Sequence, residues 1–412
     1  MNKCLKYAMI GIIGTMISCV VLSCKKDLKT TEVMLTCIIP DNLPEAKLSK
    51  VVLSAKNITT GKSTEYSLAQ NASGIYTFTL FEGLYNFSLE AQVSYTSSGV
   101  THTGTLKGYK ESLNITGIQT SVTLDLFISK KTEDFVIAEI FFAGTLTPEG
   151  KQYVGDTYFR IYNNSDEVLY ADGLVIAETK FLTTTKRDYM PNIMSTDVAV
   201  NAIYRIPGNG TDYPVQPGKS ILICDNAINH RNANVNSFDL RTADFEWYDE
   251  STNPAVADID NPSVTNLDKI YCYTLTVWVP HNRGFNSYVL GRLGTDKETY
   301  LRDYTYFYNY NLVTNSGTFP MTGDCYRFPN DWVIDAVNLS VESEFQWILT
   351  DPGLDMGWTY CGTINSDKTR YGKSVRRKVE SITIDGRRKL KDSNNSKVDF
   401  DAEQTANPFY FD

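Results

Sequence analysis

The chain has 412 residues, with 39 Lys and Arg against 48 Asp and Glu, for a formal net charge of −9 at pH 7. An acidic chain without a concentrated basic face is a poor partner for nucleic acid, because neutralising phosphates requires clustered Lys and Arg. Its eight cysteines and three histidines match no metal-ligand spacing, so no metal or other cofactor is expected.

The first element is a leader. Lys3 and Lys6 precede an apolar run from Ala8 to Leu22. At about fifteen residues the run falls short of the roughly twenty needed to span a bilayer. A basic start, a short apolar stretch and small residues at its end read as a secretory signal. The run closes on "VLSC", the form recognised by lipoprotein signal peptidase. Cys24 has Ser23 before it and Lys25, Lys26 and Asp27 after it, whereas Cys19 sits inside the apolar run. Residues 1–23 are therefore expected to be removed, with Cys24 lipidated and residues 24–31 as a tether. More than one acyl chain makes such attachment stable, so the expected location is the outer membrane, lipid-anchored, on the cell surface. No later stretch is apolar enough to be a membrane helix.

Residues 32–128 alternate with a period of two. Val33, Leu35, Cys37 and Ile39 share a face, as do Val51, Leu53 and Ala55, then Tyr76, Phe78 and Leu80. Tyr85, Phe87, Leu89, Ala91 and Val93 continue the pattern, and Val122, Leu124 and Leu126 close it. Half-buried strands separated by turn signals predict an antiparallel β-sandwich. This stretch resembles the small transthyretin-like or immunoglobulin-like modules of exported bacterial proteins. "SKKTED", residues 129–134, reads as a linker, and residues 135–412 form a second β-rich region. The predicted fold class is all-β, with two tandem sandwiches.

In the second region, "YFRIYNNSDEVLYADGLVIAET" and "YRIPGNGTDYPVQPGKSILICD" read as strands joined by turns at Asp172-Gly173 and Pro217-Gly218. That order resembles a lamin-tail domain, an immunoglobulin-like sandwich. "NDWVIDAVNLS", "YGKSVRRKV" and "DSNNSKVDFDAEQTANP" resemble its later blocks. The region is longer than a compact domain of that kind, and the surplus falls at residues 181–202 and mainly at 226–330, read as an insertion. The whole chain is similar to a family of Bacteroidota lipoproteins associated with TonB-dependent receptors. The resemblance implies a surface location and a TonB-dependent receptor or its ligand as partner, and it implies no reaction.

Chemistry is sparsely signalled. His102, His230 and His281 are far apart in sequence and read as surface loop residues, and no nucleophile elbow or dinucleotide fingerprint is present. Asp258 with Asp260, and Asp351 with Asp355, are oxygen-rich pairs of the kind calcium uses, but neither completes a ligand series. As a glycosidase pair they lack a catalytic-domain motif. Five cysteines follow Cys24, namely Cys37, Cys224, Cys272, Cys325 and Cys361, and read as mostly buried thiols. The densest feature is "YTYFYNY", where Tyr304, Tyr306, Tyr308 and Tyr310 alternate onto one face. Tyrosines offer large contact area with a polar tip, so these four are the candidate ligand or partner surface, with a buried strand face as the alternative. The expected function is a non-enzymatic binding or accessory lipoprotein of a TonB-dependent uptake system. The alternatives are a structural or adhesive surface lipoprotein and a hydrolase with an unfamiliar site.

Overall fold

The computed structural model describes residues 29–40, 43, 45–71, 73–97, 100–128 and 134–412. Cys19, Cys24 and the rest of the expected leader lie outside the described residues, as does most of the expected linker. Strands dominate, and the only helices of the described residues are short. None of them is long and apolar enough to cross a membrane.

The described residues fall into two compact units. One holds the chain up to Ile38, with Val51–Leu89 and Lys110–Leu124. The other holds Ile39–Lys50, Glu90–Tyr109 and Asp125–Asp412.

The N-terminal strands are β1 (Thr30–Ile38), β2 (Lys47–Asn57), β3 (Ser63–Leu68), β4 (Tyr76–Phe81), β5 (Gly83–Ser97), β6 (Val100–Ile115), β7 (Gln119–Asp125) and β8 (Phe127–Ile128). They form one sheet in the order β4-β1-β7 and another in the order β3-β2-β5-β6-β8. The period of two is realised as burial. In β1 and β4, Val33 pairs with Phe78 and Leu35 with Tyr76, and all four are buried while their neighbours are not. Tyr85, Phe87, Leu89, Ala91 and Val93 form the buried face of β5. A one-residue slip would expose each of these faces, so the alternation fixes the register.

The larger region is a sandwich of two sheets. Its strands are β9 (Phe135–Phe141), β10 (Tyr158–Asn163), β11 (Leu174–Thr179), β12 (Asp197–Arg205), β13 (Ser220–Cys224), β14 (Phe245–Glu246), β15 (Thr265–Asn266), β16 (Asp268–Cys272), β17 (Tyr288–Arg292), β18 (Thr305–Thr314), β19 (Gly317–Pro329), β20 (Val333–Val337), β21 (Lys373–Arg377) and β22 (Phe400–Thr405). One helix, α1 (Lys297–Asp303), precedes β18. The first sheet runs β15-β14-β13-β10-β9-β21-β22, and the second runs β18-β19-β12-β11-β17-β20, with β16 also pairing β12. Phe159, Ile161, Ile223 and Val375 of the first sheet meet Leu174, Ile176, Tyr204, Leu290 and Val337 of the second, with Trp247 and Trp278 between them.

The central strands β9, β10 and β11 are buried at every position. Simple alternation predicts one wet face, and here additional chain covers that face. Leu240 and Phe238 pack over Phe141, Tyr158 and Leu222, while Leu390 and Phe411 pack over Val136, Ala138 and Tyr162. On the second sheet Tyr300 and Leu301 of α1, with Leu354, pack over Val175, Ala177 and Ile203. Residues 226–330, read from the sequence as an insertion, thus supply β17, between β11 and β20 of the second sheet, and much of this covering layer.

Candidate functional site

The strand β18 follows α1, whose N-cap Asp296 accepts the Thr299 N–H at 2.9 Å. Tyr304 is the C-cap of that helix, with its N–H still bonded to the Tyr300 carbonyl. It therefore does not join the alternation. Tyr304 stacks on Tyr300 at 5.3 Å and packs against Trp332 at 4.9 Å, under the Arg327 guanidinium. The expectation of one four-tyrosine face is corrected to a face of three, because the helix ends one residue later than the strand pattern requires.

Tyr306, Tyr308 and Tyr310 do share a face. Tyr306 is a core residue at 4% exposure, packed with Cys325 and Ala199, and its hydroxyl donates to the Pro191 carbonyl at 2.7 Å. Tyr308 lies across Gly323 of β19, where a Cβ would stand 2.5 Å from its hydroxyl. Tyr308 and Tyr310 are half-buried and frame Tyr189 edge-on, with ring centres 5.5 Å and 5.1 Å away. Tyr189 stacks on Phe181 at 3.8 Å and on Trp347 at 6.0 Å. The Trp347 indole N–H donates to the carbonyls of Leu182 and Thr185, which pins the ring to the loop it covers.

Phe181, Tyr189, Tyr306 and Trp347 line an open cleft of about 350 Å³, while Tyr308 and Tyr310 stand against Tyr189 outside that lining. Ile193, Leu349 and Met190 complete its apolar lining. Lys186, Arg187, Asp188, Asn192 and Asp197 also line it. Burial pushes Tyr189, Tyr306 and Tyr308 up to about 12, so at neutral pH their hydroxyls remain protonated. The cleft joins ring faces to both signs of charge, a surface suited to a ligand with an apolar face and a polar edge.

The other candidates resolve differently. Asp355 is fully buried, and both its oxygens accept donors, from the Asn338 and Gly357 N–H groups and from Ser396. Burial raises it to about 6 despite those bonds. Asp351 accepts the Gly353 N–H, so this pair organises a turn. Asp258 accepts the Asp249 N–H and Asp260 the Asn266 amide. Among the described residues no group of three or more His, Cys, Asp or Glu is placed to hold a metal ion. His230 is buried and not a surface residue as expected. Its ring meets the Tyr153 hydroxyl at 2.9 Å and the Asn226 carbonyl at 2.8 Å, and burial lowers it. The five described cysteines are free thiols.

The late sequence blocks converge on one buried arginine. Arg377 of "GKSVRR" donates to Asp335 of "DWVIDAV" at 2.5 Å and to Asp392 of "DSNNSKVDF" at 3.2 Å, with Asp399 at 3.9 Å. It also donates to the carbonyls of Ile137 and Lys391 and lies over the Phe400 ring. Burial raises Asp335 to about 7, while the surrounding carboxylates raise Arg377. With the guanidinium bonded directly to Asp335, the charged pair is the form the geometry favours at neutral pH. Beside it, Arg376 forks onto Glu139 with two bonds of 3.0 Å, and Glu139 also accepts from Tyr158 and Ser374. These motif residues tie β9, β20, β21 and the C-terminal segment together, so they are structural and leave the cleft as the candidate site.

Residues 216–407 match the family described as "Protein of unknown function (DUF4876)". No curated protein matches the chain. A crystal structure of a DUF4876 family protein from Bacteroides thetaiotaomicron superposes with a TM-score of 0.53 at 19% identity, covering 91% of this chain and 96% of that one. The chain is therefore similar to DUF4876 proteins in sequence over residues 216–407, and it shares the fold of one of them over most of its length.

Proposed function

We propose that this chain is a non-enzymatic, lipid-anchored outer-membrane surface protein that binds its ligand in the Tyr189–Trp347 cleft, as an accessory component of a TonB-dependent uptake system. The observation that carries the reading is the stacked wall of Phe181, Tyr189 and Trp347 facing an open cleft with Asp188, Asn192 and Asp197 in its lining. A sugar ring has the matching chemistry, with C–H groups on its faces and hydroxyls at its edge. Aromatic faces take the former, and carboxylates and amides take the latter. The anchor at Cys24 would hold this cleft at the membrane surface. A glycan array probed with the full chain and with Tyr189→Ala tests the reading. The expected result is a restricted set of oligosaccharides bound by the unmodified chain and lost in the variant. An array on which the two proteins give the same signals would overturn it.

A further inference from the structure

The hairpin of β18 and β19 continues beyond the tyrosine face as an arm. Its register runs without a shift from Thr305 opposite Tyr326 to Thr314 opposite Gly317. The face bearing Tyr306 and Tyr308 continues outward through Tyr310, opposite Met321, and Leu312, opposite Phe319. At its base this face is covered, but farther out Phe319 is 46% and Met321 38% exposed. On the other face Phe307 is 72% and Val313 70% exposed. From Tyr304 to Gly323 no residue carries a charge, in a chain that is 21% charged.

The two edges of the arm are unlike. Asn309 exchanges both backbone bonds with Met190, so the odd-numbered residues of β18 turn their backbone groups away from β19. Beyond that single pair, β18 ends its sheet among the described residues. The backbone groups of Asn311 and Val313 face that open side. The outer edge of β19 carries Pro320 opposite Asn311, a residue without an N–H that blocks strand addition. The β18 edge has no proline, no charge and no bulge, the devices by which natural proteins close an exposed strand.

We infer that the open edge of β18 pairs with the same edge of a second copy of this chain, antiparallel and centred on Leu312. The free length beyond Met190 is Tyr310–Thr314, and Leu312 is its midpoint. A two-fold axis there sets Asn311 against Val313 of the second copy as hydrogen-bonded pairs, and Leu312 against Leu312. Leu312 of each arm then packs against Leu312 of the other, on the face that also carries Phe319 and Met321. The axis sets Leu312 against its own copy and brings Asn311 and Val313 close to theirs, where like charges would repel, so an uncharged strand is what the arrangement needs. The polar tip, Thr314 to Thr318, disfavours the alternative in which the arm enters lipid end-on.

The test is register-specific disulfide trapping in the full chain, purified from membranes in mild detergent. Opposed residues of a non-hydrogen-bonded pair have Cα atoms about 4.5 Å apart, within disulfide range. Leu312→Cys should therefore give a covalent dimer on mild oxidation, while Val313→Cys should not. In the chain without these substitutions, Val313→Lys should convert a sedimenting dimer to monomer at an unchanged melting temperature. Equal cross-linking of both cysteine variants, a monomeric unmodified chain, or trapping of a different protein by Leu312→Cys would each overturn the inference.

Discussion

Replacing Arg377 with methionine removes the hub that the late sequence blocks share. The guanidinium is 2% exposed and bonded to Asp335, itself 4% exposed, with Asp399 at 1% and Asp392 at 10% around it. Methionine fills much of the volume but leaves the Asp335 and Asp399 charges buried without a cation. Breaking a buried pair in this way costs about 3–5 kcal/mol. For a region of this size each kcal/mol moves the melting temperature by roughly 2–4 °C, so a drop of about 10 °C is expected. Protonating the stranded carboxyls relieves the penalty. Their folded pKa then lies above the unfolded value, so stability returns as pH falls below the folded value. Melting by circular dichroism at pH 8 and pH 5 measures both effects, and the deficit should be smaller at pH 5. Arg302→Met, which removes an exposed pair with Asp303, is the control and should melt like the unmodified chain. The reasoning fails if Arg377→Met melts within 2 °C of the control at pH 8 (~1 kcal/mol on the same scale).

Glu178 is buried, and burial raises it to about 7 although Tyr288 donates to it. Its contribution to stability is full below about 4.5 and is lost as pH rises through 7, so Glu178→Gln should flatten the melting profile between those values. Tyr306→Ala should cost about 3–5 kcal/mol as a large-to-small core change, whereas Tyr306→Phe should cost about 1 kcal/mol for its hydrogen bond to Pro191; equal melting of the two would refute the core assignment. Cys24→Ala should release the protein from membranes while Cys19→Ala leaves it bound, as followed by labelling with a palmitate analogue; label retained on the Cys24→Ala variant would sink the anchor assignment.

The β-structure was legible because its signal is local. Val33 with Leu35 and Tyr85 to Val93 announce their buried faces by alternation alone, although the face does not extend to Cys37 and Ile39, which are only half-buried. The same rule misled at Tyr304, where the helix cap at Asp296 sets a competing phase that reaches one residue into the tyrosine run. It also failed in β9 to β11, since covering segments such as Phe238–Leu240 and Leu390 are remote in sequence. The motif blocks were visible, but their convergence on Arg377 was not, because residues from 335 to 399 meet only in the folded chain. Of the cleft, only Tyr306 of the β18 face could be read. Phe181, Tyr189 and Trp347 are isolated aromatics in the sequence, and Phe181 and Tyr189 fell in a stretch taken as surplus length. No periodicity links them to Tyr308.

The most direct test of the cleft is calorimetric titration of the strongest array glycan into three proteins, the unmodified chain, Tyr189→Ala and Tyr304→Ala. Truncating a tyrosine at a binding hot spot costs about 2 kcal/mol or more, roughly a thirty-fold loss of affinity. The account predicts saturable binding to the unmodified chain and to Tyr304→Ala, whose ring lies with Tyr300 and Trp332 outside the cleft lining. It predicts at least that thirty-fold loss in Tyr189→Ala. Equal affinity in Tyr189→Ala and the unmodified chain, or a loss in Tyr304→Ala matching that in Tyr189→Ala, would contradict it.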